Sequence, residues 1–160
     1  MMKLAFFDVD GTLSAPRYLD RENGRFVIGF TDAAWLSFCE EYGKDAYRDC
    51  APLACVADYA KKLKETGCRL FVLSATACET EAAAKRVFLE RFYAGLFEEC
   101  FFVANDAEKI TKITEIAGKE GCGTGDCALV EDTYSVLLKA HNSGICAIHV
   151  ANIVSGNISC

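Results

Sequence analysis

Five short apolar runs, none of them alternating, constrain this chain more than any other feature of its sequence. They are LAFFD at 4–8, LFVLSA at 70–75, CFFVA at 100–104, CALVE at 127–131 and CAIHV at 146–150. A strand with one wet face alternates apolar and polar residues, whereas an unbroken run fits a strand covered on both faces. Segments with helical period lie between the runs. In PLACVADYAKKLKETG, at 52–67, the residues Leu53, Val56, Tyr59, Ala60 and Leu63 form one stripe that stops at Gly67. Residues 79–92, 108–118 and 134–144 read as further helices, the last closed by Gly144. Strands alternating with helices at this spacing predict an α/β fold, a three-layer, doubly wound domain around a parallel five-stranded sheet.

The stretch from about 14 to 50 breaks the pattern. YLDRENGRFVI at 18–28 sets Asn23-Gly24 between two candidate strands, the strongest short-range hairpin signal. An amphipathic piece, DAAWLSFCEEYG at 32–43, follows and leads through a polar linker to Pro52. This predicts a small hairpin/helix insert after the first strand, with one or two helical turns, too small for a separate cap domain. Trp35, Phe38 and Tyr42 are expected to pack the insert onto the core. With 160 residues, 52% of them hydrophobic, the chain has material for one core, so 1–160 is expected to be a single domain.

Charge narrows the partners. A formal net charge of -6 disfavours non-specific nucleic-acid binding and binding to an anionic membrane, both of which rely on basic patches. It permits a phosphorylated substrate, whether a small molecule or a macromolecule, since a bound metal ion can invert the field within one cleft. The ten cysteines, Cys160 among them, form no CxxC pair, and several sit inside apolar runs where a thiol serves as a small hydrophobe. They are expected to be reduced and structural. The apolar run in MMKLAFFDVDG is broken by Asp8, so neither a signal peptide nor a spanning helix is expected there, and the expected compartment is the cytoplasm.

In a parallel sheet of this kind the ligand site lies beyond the carboxyl ends of the strands. The sharpest polar residues occur there: Asp8 and Asp10 after the first run, Ser74 at the end of the second, Glu131 and Asp132 after the fourth. Carboxylates crowded into one cleft repel one another, and a hard divalent cation removes the conflict. Magnesium suits all-oxygen ligands and keeps room for water and substrate phosphate, so Asp8, Asp10, Glu131 and Asp132 are its candidate ligands. Asp8 is the candidate nucleophile, because an ionised carboxylate can attack phosphorus and form an acyl phosphate. Asp10 can offer its backbone carbonyl to the metal while its side chain protonates the leaving oxygen and later activates water. Ser74, taken to start the next helix, can hold a phosphate oxygen. Lys109 can neutralise charge on phosphate and on Asp8, with Lys112 as a second candidate for that place.

These residues resemble the haloacid dehalogenase-like superfamily of phosphatases and phosphotransferases. Its first motif, a hydrophobic strand followed by DxDGT, is matched by FFDVDGTL at 6–13. LFVLSAT supplies the second through Ser74, NDAEKITKITEIAG the third through Lys109, and LVEDT the fourth through Glu131 and Asp132. The match spans the core from Leu4 to about Val150. It implies a Rossmann-like sheet ordered fifth, fourth, first, second, third, and phosphate rather than carbon–halogen chemistry, because a second acid follows the nucleophile. Three departures stand out: the insert is short for a cap, no comparable insert lies between Ser74 and Lys109 or between the third and fourth motifs, as in nearly capless members, and Ala75 follows Ser74 where Asn or Gly is frequent.

The expected function is a magnesium-dependent phosphomonoester hydrolase acting through an aspartyl-phosphate on Asp8. The alternatives are a phosphomutase or phosphotransferase with the same nucleophile, and a non-catalytic metal-binding regulatory protein. The sequence leaves open whether Glu131 binds metal directly or through water, and whether Thr12 orients phosphate or only shapes a turn. Arg17 and Arg25 are equally open between substrate binding and solvation. His141 and His149, the latter far along the chain from any partner, receive no role. Oligomeric state is not legible.

Overall fold

The computed structural model describes residues 2–27 and 29–156; Ile28, expected at the end of the hairpin, and Cys160 lie outside the described residues. In chain order the strands are β1 (Leu4–Phe7), β2 (Ser14–Ala15), β3 (Tyr18–Asp20), β4 (Arg25–Val27), β5 (Ala51–Pro52), β6 (Arg69–Ala75), β7 (Glu99–Val103), β8 (Cys127–Glu131) and β9 (Cys146–His149). The α-helices are α1 (Asp32–Tyr42), α2 (Ala54–Glu65), α3 (Glu79–Tyr93), α4 (Ala107–Lys119), α5 (Tyr134–Asn142) and α6 (Val150–Ser155).

The five apolar runs become one sheet in the order β7-β6-β1-β8-β9, with every pairing parallel. β1 is its centre and is buried throughout. Its side chains alternate between two apolar layers, which is why the run could not alternate in polarity. Ala5 and Phe7 pack with Val56 and Ala60 of α2, Phe88 of α3 and Ile153 of α6. Leu4 and Phe6 pack on the opposite side with Ile113 and Ile116 of α4 and with Val136 and Ala140 of α5. Phe6 and Phe7 are fully buried, and each contributes about 1.5–3 kcal/mol relative to exposure.

The insert differs in detail from its sequence reading. β3 and β4 form the antiparallel hairpin around Asn23-Gly24, but α1 is eleven residues long rather than one or two turns. Thr31 caps α1 by accepting the N–H of Ala34 at 3.3 Å. The helix persists because Trp35 and Phe38 join a ring cluster with Tyr18, Phe30 and Tyr47, at centroid separations of 4.9–6.1 Å. β2 and β5 close the base of the insert as a two-residue antiparallel pair. The fifth run also ends one residue early, at His149, and the chain then turns into α6.

Among the described residues eight cysteines are free thiols, four of them buried. Cys146 departs from the expectation of reduced thiols, being disulfide-bonded. Among the described residues no helix is long and apolar enough to cross a membrane.

Candidate active site

Register brings the site together. Phe7 of β1 lies beside Val72 of β6 and Val130 of β8, so the next residues of all three strands emerge at one edge. The Asp8 N–H donates to the Val130 carbonyl at 3.0 Å, which extends the sheet by one step. The chain then turns sharply, with the N–H groups of Thr12, Leu13 and Ser14 all directed at the Val9 carbonyl. Gly11 has φ +72°, and a Cβ there would stand 2.0 Å from the Asp132 Oδ2. The positive φ favours glycine there, and any side chain would also have to displace the Asp132 carboxylate.

A cavity of about 310 Å³ opens at this edge, lined among others by Asp8, Asp10, Ser74, Lys109 and Asp132. Carboxylate oxygens of Asp8, Glu131 and Asp132 come within 4.8 Å of one another. Lys109, nearly fully buried at the start of α4, binds this group together: its Nζ donates to Asp8 Oδ1 at 3.0 Å and to Glu131 Oε2 at 2.7 Å, and pairs with Asp106 at 2.9 Å. Lys112 is turned away and pairs with Glu115, so of the two lysines Lys109 reaches the site.

The donor set fits a magnesium ion, because hard oxygen ligands converge without a thiolate and carry more charge than one lysine offsets. The members are not equivalent. Both oxygens of Glu131 are engaged, Oε2 by Lys109 and Oε1 by the N–H groups of Asp132 and Thr133 at 3.1 Å. Glu131 is therefore suited to reach an ion through water, and the more exposed Asp132 to meet it directly. Asp10 has its carboxylate outside the cluster.

Proton affinities follow these contacts. Burial, then the charge of Glu131, pushes the Asp8 carboxyl up to about 7 against the pull of Lys109. Burial raises Glu131 too, with Lys109 opposing. Burial would lower Lys109, but the charges of Asp8 and Glu131 outweigh it and hold the ammonium above its usual range. Burial would raise Asp10, but the charge and hydrogen bond of Lys85, with the hydroxyls of Tyr47 and Tyr18, hold it below its ordinary value.

Lys85, on α3, was not singled out from the sequence. It is fully buried, and its Nζ reaches Asp10 Oδ2 at 2.7 Å, Glu81 Oε1 at 2.8 Å, Ser74 Oγ at 3.0 Å and the Ala75 carbonyl at 2.6 Å. Asp106, also missed, lines the cavity beside Lys109. Ser74 lies inside β6 rather than at a helix start, since α3 begins only at Glu79. It therefore offers a hydroxyl, which accepts from Lys85 at 3.0 Å and donates only over a long 3.5 Å to the Ala75 carbonyl, without a helix N-terminus behind it. Thr12 is fully buried and does not line the cavity. His149 does have a partner: β8 and β9 set it opposite Glu131, and its Nε2 lies 3.0 Å from the Asp132 carbonyl. Its Nδ1 accepts the Ala151 N–H and caps α6. Arg17 stacks on Phe26 of the hairpin.

Solved structures share this fold. A protein of Lactobacillus delbrueckii subsp. bulgaricus, provisionally named a phosphoglycolate phosphatase, matches with a TM-score of 0.64 at 15% identity, over 92% of this chain and 84% of that one. A haloacid dehalogenase-like family hydrolase of Streptococcus pneumoniae matches with 0.60 at 15% identity, over 96% and 90%. The 3-deoxy-D-manno-octulosonate 8-phosphate phosphatase of Moraxella catarrhalis, solved with magnesium, phosphate and KDO, matches with 0.52 at 18% identity, over 92% and 67%. At such identities the likeness establishes the fold. No family model matches the chain, and neither does any curated protein.

Proposed function

We propose that this protein is a phosphatase of the haloacid dehalogenase-like superfamily, a single domain with a short flap at about 14–50, acting on a phosphomonoester through an aspartyl-phosphate on Asp8. The observation that carries the reading is the meeting of Asp8, Glu131, Asp132 and Lys109 at the mouth of the parallel sheet, beside Ser74 and Asp10. Binding alone does not call for a second carboxylate at Asp10, which is why turnover is favoured over a regulatory role. The fold neighbours include phosphatases of phosphorylated sugars, which supports a small phosphorylated substrate.

Magnesium, when bound, would supply the positive charge that lets Asp8, Asp132 and a phosphate dianion share the cleft. Asp8 is fixed for attack by Lys109 on Oδ1, which leaves Oδ2 without a hydrogen-bond partner among the described residues. Ser74 donates its hydroxyl proton to a phosphate oxygen while Lys85 holds its Oγ. Lys109 stabilises charge that builds on phosphate as the bond to the leaving group breaks. Asp10, held ionised in the free protein by Lys85 and the two tyrosine hydroxyls, would take up a proton from solvent as the phosphate dianion enters, deliver it to the leaving oxygen and later take one from the attacking water.

The test is release of phosphate from p-nitrophenyl phosphate by folded protein, with magnesium and with chelator. Magnesium-dependent turnover with label trapped on Asp8 supports the reading. Absence of turnover on a broad phosphometabolite panel, with metal bound, sinks it.

A further inference from the structure

A chain of polar groups, with Tyr18, Tyr47, Lys85 and Glu81 buried and Trp35 and Asp10 half-buried, runs from the insert to the cavity. The Tyr18 and Tyr47 hydroxyls both donate to Asp10 Oδ1, at 2.8 and 2.7 Å, while Lys85 holds Oδ2. Lys85 is in turn paired with Glu81, whose Oε2 accepts the Trp35 indole N–H at 2.8 Å and the Ala77 N–H at 2.8 Å. Three side chains of the insert, Tyr18, Trp35 and Tyr47, therefore end on a three-member ionic chain, Asp10–Lys85–Glu81, of which the proposed chemistry uses Asp10 directly. A lysine fully buried between two carboxylates is costly to remove from water, and it is tolerated only where each charge is paired in fixed geometry. The arrangement fixes both Asp10 oxygens and, through the same ammonium, the Ser74 hydroxyl.

We propose that Lys85 is a positioning residue, and that with Tyr47 and Tyr18 it forms a clamp through which docking of the insert sets the place of the Asp10 carboxylate. The insert thus serves the acid–base step from its base rather than only covering the cavity from its tip. The consequence for turnover rests on the phosphatase reading; the geometry of the clamp does not.

Tyr47→Phe is the cleanest test, because it removes one donor to Asp10 and leaves no charge unpaired. Lys85→Met, close in length and apolar, removes the centre of the clamp. Tyr42→Phe is the control, an insert tyrosine whose hydroxyl meets the Arg21 N–H and not Asp10. For Tyr47→Phe, kcat on an alkyl phosphate is expected to fall on the order of 10–100-fold with KM nearly unchanged, as misplacement of a reacting group implies. The fall should be smaller on p-nitrophenyl phosphate, whose leaving group needs less protonation, and the control should match wild type. Lys85→Met should lose kcat and also raise KM, because Ser74 loses its partner. If folded Tyr47→Phe retains wild-type kcat on both substrates, the clamp is refuted, whether or not Lys85→Met folds.

A second readout does not depend on turnover. The side-chain carboxyl ¹³C resonance of Asp10, identified by its loss in Asp10→Asn, should move in Tyr47→Phe and stay in place in Tyr42→Phe. An inactive wild type in which that resonance moves removes the phosphatase reading and keeps the clamp. A resonance that does not move overturns the clamp, and an active wild type then leaves the phosphatase reading intact.

Discussion

Replacing Asp8 by Asn should make the metal-free protein more stable while it abolishes turnover. Burial and Glu131 raise the Asp8 carboxyl from 3.8 to about 7. The folded state thus holds this proton more tightly than the unfolded chain, so the stability it confers is complete below about pH 4 and is lost as pH rises through about 7. A shift of about three pH units, at about 1.4 kcal/mol each, sets a ceiling of ~4 kcal/mol on that loss. Asn cannot ionise and escapes it, but Lys109 gives up an ionic partner at 3.0 Å while keeping Glu131 and Asp106. A net gain of about 1–3 kcal/mol at pH 8 follows, or roughly 2–4 °C of melting temperature per kcal/mol for a chain of this size. The assay is thermal unfolding of both proteins between about pH 5 and 8, in chelator and in saturating magnesium. The gap in chelator should widen with pH and level off above about 7. Magnesium should stabilise wild type, by about 2.7 kcal/mol at a hundredfold excess over Kd, and the variant much less. An Asn variant that melts no higher than wild type at pH 8 in chelator, or a gap that ignores pH, would refute the reasoning.

The opposite sign is expected for Lys109→Met, which strands Asp8 and Glu131 without a counter-charge; melting in chelator should show a loss of about 3–5 kcal/mol, partly recovered when Asp8→Asn is added. Asp10→Asn should still bind magnesium and substrate, measured by calorimetry, while kcat falls by on the order of 10²–10⁴-fold. With p-nitrophenyl phosphate the Asp10→Asn protein should accumulate acyl phosphate in a rapid-quench assay, and label on any residue but Asp8 would contradict the assignment. Shortening the hairpin at Asn23-Gly24, which spares Tyr18 and Tyr47, should change relative rates on large and small substrates and leave acyl-phosphate formation intact. An unchanged substrate profile would mean that the tip is only structural.

Much of this architecture can be read from the chain because burial on both faces erases alternation, and five such runs leave few folds to choose from. The acids of the site were legible for a related reason: a carboxylate directly after an unbroken apolar run has no structural use in the sheet. Lys109 could have been separated from Lys112 by periodicity, since Lys109, Ile113 and Ile116 share the buried side of α4 while Lys112 faces out to Glu115. Lys85 was harder. With Glu81 it forms an i,i+4 pair of opposite charge, which in sequence reads as a solvated surface pair. Only the neighbouring Ala84, Phe88 and Leu89, all buried, mark that side of α3 as inward. The clamp hydroxyls were out of reach altogether, because Tyr18 and Tyr47 lie 8 and 37 residues from Asp10 and no local pattern links them. The contact of His149 with the Asp132 carbonyl, 17 residues away, was equally out of reach, and the pairing of β8 with β9 closes that gap. The β2–β5 pair, two residues on each side, is too short to carry a period.

The two buried lysines divide the site into halves with different electrical needs. Around Lys109 stand Asp8, Glu131 and Asp106, with Asp132 close by, so one ammonium faces four carboxylates. Around Lys85 stand Asp10 and Glu81, and their remaining oxygens are met by neutral donors, the hydroxyls of Tyr18 and Tyr47 and the indole of Trp35. Neutral donors spread charge without adding a proton that must be lost, so this half is satisfied by the protein alone. The Lys109 half is not, and its deficit appears in the raised proton affinity of Asp8. On the proposed mechanism a divalent cation and a phosphate would therefore act on the Asp8 half, while the Asp10 half is held by the insert. That division accounts for why the lysine of each half contacts a different aspartate of the same DxD, and why the two aspartates end with opposite shifts although burial pushes both upward: Lys85 and the two tyrosine hydroxyls outweigh burial at Asp10, and Lys109 does not at Asp8.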